Sequence, residues 1–551
     1  MEKLNEIDGL INSKMTDDCN NSLDIVKFNV QNVIDVVNDL KSGKVEESGL
    51  FTDHFKHAPQ RLYVLISCLF NSMLVHGIAP NNMLVGTMTP IIKDCRESHK
   101  KSSNYRTLTI GTCLSKVFDL LVIKNQSEIF NSSDMQFGFK NGSSTTMCTF
   151  MVQQTISHYI TNNSNVNVLM LDASKAFDRV HYIKLFKKLI NKGMCPIIIR
   201  LLLNMYTQQK LQVKWNNVIS NQFNVSNGVR QGGIMSPLLF RIYIDDLLLE
   251  LKNSGIGCTV GNYYCGAFGY ADDLILLCPT ITGIEHMIKI CELYADKHFI
   301  RFNGLKSKLL IFGEKMDNPN IKVKGEVVPI CTKTIYLGNM LSTISDSDMV
   351  NEGIKNFNIN LNIFLSKFGT CKVLVKNKLF NQYCCSYYGS QLWPLYNQDF
   401  KNVCTKWRKA IRRIWGLPFN THCNLLPLIS EQNPIEIALT NRFIKFFKSL
   451  LDSDNCMVSY MARLQSQNCR SIFGQNARHV VINYNLSWHE LETGTSNVIQ
   501  EDIYDNYFNS VQTEQFIDAN VIRNILLRNE SFNDCFLTED QLNFFIFLCT
   551  S

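Results

Sequence analysis

Apolar residues return at helical spacing through "LYVLISCLFNSMLV" (62–75), and the pattern stops at "HGIAP". That predicts a helix ended by glycine and proline. The preceding stretch is polar and weakly patterned, with a short helix expected near 25–40 followed by a loop. "VNVLMLD" (166–172) reads as a buried strand that delivers a carboxylate at its end. "HYIKLFKKLINKG" repeats apolar residues at helical spacing and closes on Gly193, an amphipathic helix with a glycine at its C-terminal end. "LQVKW" alternates, and Asn216-Asn217 is a turn into a returning strand. Strands and helices are intermixed between Asp172 and Asp273, which predicts the α+β class.

A short word, an aromatic followed one residue later by two adjacent carboxylates, occurs twice: YIDD at 243–246 and YADD at 270–273. Its first copy sits in "SPLLFRIYIDDLLLELKN", where Ser236 as N-cap and Pro237 at the first helical position open an unbroken helix. On a helix Asp245 and Asp246 point about 100° apart and converge poorly on one ion. The second copy has Gly266 and Gly269 before it and "LILLC" after it, stopped by Pro279. Two short apolar runs around a tight Ala-Asp-Asp predict a hairpin whose tip presents carboxylates. Asp172, at the end of its own strand, is a natural third. YADD is the better metal site.

Charge and cysteine narrow the setting. The 551 residues leave room for roughly three or four domains of ~150 residues each. Net charge is +7, but residues 498–551 carry −7, leaving +14 on the rest, which suits a polyanionic partner. The 20 cysteines are scattered with no C-x-x-C, so no structural zinc is expected. No stretch approaches the roughly 18 apolar residues of a membrane span, and the N-terminus has no signal-peptide core. Reduced thiols and an intracellular location, nuclear or cytoplasmic, follow as the expectation.

Seven motifs stand in one order: "TPIIKDCRESHKKSSNYRTLTI", "QFGFKNGSST", "LDASKAFDRV", "GVRQGGIMSPLLF", "FGYADDLILL", "FNGLKSKLLIFG" and "YLGNML". The series resembles the reverse transcriptases of non-LTR (LINE-type) retrotransposons, the jockey-like branch included. It covers about 73–341, and continues more weakly through "GSQLW" and "WRKAIRRIWGLPFNTH" to about 447. The resemblance implies a right-hand polymerase with fingers, a palm built on an antiparallel sheet, and a helical thumb. The expected division is an N-terminal extension at 1–72, fingers and palm at 73–341, thumb at 342–480, and an acidic C-terminal region at 481–551. The implied function is RNA-directed DNA polymerisation with two Mg²⁺ ions, or Mn²⁺ in their place. Partners would be deoxynucleoside triphosphates, an RNA template, and a DNA primer or nicked target DNA. Oligomeric state is not legible.

The resemblance also assigns residues. Asp172, Asp272 and Asp273 match the metal-binding carboxylates; two ions need clustered hard oxygen ligands. Phe177 stands where the family places the aromatic floor under the sugar, a bulk that excludes a 2′-hydroxyl; the other reading is the start of a core. Lys93 and Arg106 match triphosphate-holding residues of the fingers. Gln231 and Gly232 in "RQGG" match the turn against the incoming nucleotide, with a plain tight turn as the alternative. Tyr270 opens the YADD word beside the substrate. Lys306 matches a late lysine that protonates leaving pyrophosphate, a role that requires it to give up its proton readily. In "KWRKAIRRIWG", Lys406, Lys409 and Arg413 form a stripe with Arg408 and Arg412 beside it, opposite Trp407, Ile411 and Ile414. Such a helix grips a duplex backbone or is simply solvated.

Two departures bear on the reading. About 70 residues precede the polymerase, too few for the endonuclease of intact elements, and "KSGKVEESGL" is an altered first fingers motif. The chain therefore reads as a fragment or a decaying copy, although every residue the chemistry needs is present. Two rivals stand beside it: a catalytically silent nucleic-acid-binding remnant, and an RNA-synthesising palm polymerase, against which Phe177 speaks.

Overall fold

The computed structural model describes residues 27–314 and 319–493, together with Gly9. The acidic region from residue 494 onward, and most of the chain before Lys27, lie outside the described residues.

At the centre is a four-stranded antiparallel sheet in the order Phe302–Phe312, Val166–Ala173, Asp273–Cys278, Ala267–Tyr270. Its strands alternate between two cores. Leu169, Leu171, Leu274, Leu276 and Leu309 face one cluster; Val166, Val168, Ile275, Leu277 and Leu310 face the other. A sheet buried on both faces needs apolar residues at nearly every position, which is why "VNVLML" and "LILLC" read as continuous runs.

The first core joins the sheet to helices Val30–Asp39, Gln60–His76, Cys113–Asn125, Pro196–Thr207, Ser236–Asn253 and Ile281–His298. No break in it falls at residue 72: Phe28, Val33 and Phe70 are buried in the same cluster as Leu169. The second core joins the opposite face, with helix Thr145–Thr161 next to the sheet, to helices Ser347–Phe368, Gln398–Trp415, Ile435–Leu451 and Cys456–Gln467, the expected thumb region.

A second sheet forms the fingers. Val85–Ile92 lies between antiparallel Tyr105–Ile110 and parallel Lys210–Trp215, which turns back at Asn216 (φ +53°) into Val218–Ile219. Among the described residues no helix is long and apolar enough to cross a membrane. The helix after "RQGG" spans Ser236–Asn253 as the sequence predicts, but Met235 and not Ser236 is its cap residue. Ser236 is buried, and its hydroxyl is turned to the Tyr206 phenol.

Candidate active site

Asp172 lies near the end of the Val166–Ala173 strand, and the YADD word closes the hairpin beside it, with Tyr270 paired to Asp273 across a two-residue tip. The register Leu171↔Leu274, continued by one residue, sets Asp172 across from Asp273. Directly opposed side chains in an antiparallel pair have Cβ atoms about 4.5–5.5 Å apart, and like charges there repel. The electrostatics follow. Desolvation at the crowded tip, then its own like-charged neighbours Asp272 and Asp172, push Asp273 up to about 6, although its side chain still reaches solvent. Asp272 is raised by the same desolvation and by Asp172. Arg106, from the fingers sheet, relieves both in part. Among the described residues no three His, Cys, Asp or Glu side chains form a ready-made ligand cage.

Lys306 shares the cleft in front of these carboxylates, which Asp172, Asp273, Lys306, Lys308 and Thr334 line together. Lys308 escaped the sequence reading, although "KSK" offered both lysines. Ser307 between them accepts a hydrogen bond from the Asp172 amide at 3.2 Å, locking the two strands together at the site.

Phe177 opens a short 3₁₀ turn just after the Asp172 strand and is half-buried. Its ring stacks on Phe240 at 4.7 Å between centroids, so one face packs while the ring is not closed over. The "GVRQGG" loop runs beside it. Val229 N–H donates to Phe177 O at 2.9 Å, and Gln231 Nε2 donates to Asp178 Oδ1 at 3.1 Å. Gly232 (φ +107°) lies so near the Tyr105–Ile110 strand that a Cβ would stand 2.7 Å from Thr109 O. The turn therefore ties fingers to palm, and only glycine fits it. Lys93 sits just past the end of the same fingers hairpin, its ammonium on Ser103 O at 2.9 Å.

YIDD has a different fate. Asp245 is buried and accepts from Ser133 N–H (3.1 and 3.0 Å) and from Ser133 Oγ at 2.7 Å. Asp246 pairs with Lys188, whose ammonium also bonds the Tyr294 hydroxyl at 2.9 Å. Both carboxylates are spent on internal donors.

On the Gln398–Trp415 helix, Trp407, Ile411 and Ile414 are buried while Lys406, Lys409 and Arg413 face solvent. Arg408 and Arg412 are half-buried and engaged within the chain, Arg408 with Glu436 and Arg412 with Thr421 O at 2.6 Å. Of the candidate phosphate contacts, Lys406, Lys409 and Arg413 are thus exposed, while Arg408 and Arg412 are taken up within the chain.

A two-cored antiparallel palm with three acidic residues at its strand ends, flanked by a fingers sheet and a helical thumb, defines a right-hand polymerase. Residues 98–341 match the family model described as "Reverse transcriptase (RNA-dependent DNA polymerase)", and the relatives this stretch is similar to belong to retrotransposons of the non-LTR kind. The chain is 26% identical over 295 residues to the probable RNA-directed DNA polymerase from transposon X-element of Drosophila melanogaster, covering 52% of this chain and 32% of that protein. It is 25% identical over 220 residues to the Pol polyprotein of the type-2 retrotransposable element R2DM of the same species (40% and 20%). To the RNA-directed DNA polymerase from mobile element jockey of Drosophila funebris it is 22% identical over 327 residues (57% and 35%). The matches thus span between a fifth and about a third of these relatives.

Proposed function

We propose that this chain extends a DNA primer on an RNA template, adding deoxynucleotides by attack of the primer 3′-hydroxyl on an α-phosphate with release of pyrophosphate. The observation that carries the reading is the meeting of Asp172, Asp272 and Asp273 at adjacent strand ends inside the reverse transcriptase domain. Crowded hard oxygens, with Asp272 and Asp273 raised in affinity for protons, are a donor set that suits divalent cations of the Mg²⁺ class. When bound there, such ions supply charge stabilisation to the attacking and leaving oxygens.

The chain's own groups do the remainder. Arg106 lies within electrostatic reach of the carboxylates and offers its fork to the triphosphate, with Lys93 as a point charge further along the fingers. Phe177, fixed by its stack on Phe240, gives the sugar a floor that leaves no space for a 2′-hydroxyl. Gln231 and Gly232 form the wall of the nucleotide site, and Tyr270 begins the hairpin that borders it. Lys306, in the same cleft as Asp172 and Asp273, donates a proton to pyrophosphate as it leaves. Lys409 and Arg413 steady the duplex backbone from the thumb. A polyanionic partner and free thiols fit an intracellular, nuclear or cytoplasmic, setting.

The test is primer extension by the purified chain on poly(rA)/oligo(dT) with Mg²⁺, beside Asp272→Asn. Extension by the parent and none by the variant is the expected result. A folded parent that binds primer-template without extending it would make the chain a silent binding remnant. Preference for ribonucleotides would make it an RNA-synthesising enzyme.

A further inference from the structure

The motif "QFGF" takes no part in the chemistry above, yet it runs against the tip of the catalytic hairpin. Gln136 bridges Gly269 in parallel; Phe137 N–H donates to Gly269 O at 2.8 Å, and Gly269 N–H donates to Met135 O at 3.0 Å. The Gln136 side chain is fully buried, and its Oε1 accepts from Ala271 N–H at 3.1 Å and from Gly138 N–H at 2.9 Å. Ala271, the residue before Asp272, has φ +60°, a conformation that side chains other than glycine, asparagine and aspartate seldom adopt. Gly138 makes the approach possible, since a Cβ there would stand 2.2 Å from Ala271 N.

Two further observations separate this contact from plain packing. Gln136 Nε2 is buried without a hydrogen-bond partner. An apolar side chain of the same length would fill the space and leave no donor unpaired, so it is the acceptor oxygen that the position uses. The segment is also held from behind by the YIDD helix. Asp245 takes both donors of Ser133, and Arg241 donates to Phe139 O at 2.6 Å and to Phe130 O. The helix with the first acidic word thus seats the segment that grips the second.

We propose that Gln136 is a positioning residue for the metal-binding carboxylates: its side-chain oxygen holds Ala271 in the left-handed turn and so aims Asp272 and Asp273. This rests on the polymerase reading. The experiment compares parent, Gln136→Met, Ala271→Gly and the double variant. It measures kcat and KM for a deoxynucleotide, thermal unfolding, and the Mg²⁺ concentration that half-forms the nucleotide complex on a dideoxy-terminated primer. Gln136→Met is expected to lower kcat roughly ten- to hundredfold, as a small misplacement of reacting groups does. It should raise the Mg²⁺ midpoint and leave primer-template affinity near the parent's. In the Ala271→Gly background the same substitution should cost much less, because glycine takes the left-handed turn unaided. Equal losses in both backgrounds overturn the proposal. So does a loss of activity no larger than the fraction of variant unfolded at the assay temperature. An inactive parent overturns the polymerase reading and this inference with it, whereas an active parent with an unaffected Gln136→Met overturns this inference alone.

Discussion

At Asp273, desolvation and two neighbouring carboxylates act together, and the sign of their effect on stability can be worked out. A carboxyl raised from 3.8 to about 6 binds its proton more tightly in the folded chain. The folded state is therefore disfavoured by this group above about pH 6, and that cost is relieved as pH falls through the window from about 6 to 4. In the absence of divalent cations, Asp273→Asn should raise thermal stability at pH 8 by about 1 kcal/mol or less, since the side chain is open to solvent screening. The advantage should vanish near pH 4, and added Mg²⁺ should stabilise the parent more than the variant. Unfolding curves at the two pH values, with and without the cation, measure all three. Phe177→Ala is the second residue-scale test. It should let in ribonucleotides, lowering discrimination roughly 10- to 100-fold, as loss of a steric wall does. Unchanged discrimination in a folded variant would leave Phe177 as part of the Phe240 stack and no more.

The Gln398–Trp415 helix divides its charges into two kinds, and substitutions should separate them. Lys406, Lys409 and Arg413 are free to meet phosphate; Arg408 and Arg412 already hold Glu436 and Thr421. Changing the first three to Gln should weaken primer-template binding and flatten its salt dependence by about two in log–log slope, at roughly 0.7–0.9 per phosphate contact. Arg408→Gln should cost about 1 kcal/mol of stability and leave the slope alone. Affinity measured at several salt concentrations distinguishes the two, and an unaltered slope in the triple variant would reduce the stripe to solvated surface. Trp407→Ala, on the buried side, should cost about 3–5 kcal/mol. The YIDD helix is also a packing element. Asp245→Ala leaves the Ser133 donors unpaired and should cost about 1–3 kcal/mol, read from the denaturant midpoint.

Over the whole molecule, the palm sheet is shared property. Val166, Val168, Ile275, Leu277 and Leu310 are covered by the same cluster that contains Phe400, Trp407 and Phe443. The match to the reverse transcriptase family ends at residue 341, but the packing does not. A chain cut after Leu341 would keep helix Thr145–Thr161 on that face but lose the later helices that pack over it. Because helix Thr145–Thr161 is itself buried against Cys456–Gln467 in the intact protein, the truncated chain should be insoluble or lack a cooperative unfolding transition, while residues 1–493 should retain one. Differential scanning calorimetry of the two fragments checks this, and a cooperative melt from the shorter one would show that the thumb is an independent addition.

The local order of the polymerase was legible because its signals are local. The strand before Asp172, the YADD hairpin, the amphipathic helix closing on Gly193 and the two-faced thumb helix are each fixed by the spacing of apolar residues and by turn chemistry within one element. The setting of YADD on a hairpin and of YIDD on a helix was legible for the same reason, because their flanking residues differ. What the first word does instead was not. Its partners are Ser133, Lys188 and, through Lys188, Tyr294, and long-range pairing between side chains leaves no mark in spacing. The same holds for Arg408 and Arg412, whose partners lie on later segments, and for Lys308, which reaches the cleft only because its strand lies beside that of Asp172. Sequence periodicity decided which face of each element is apolar. Tertiary structure alone decided which polar groups remain free once those faces close, and therefore which charges are left for chemistry.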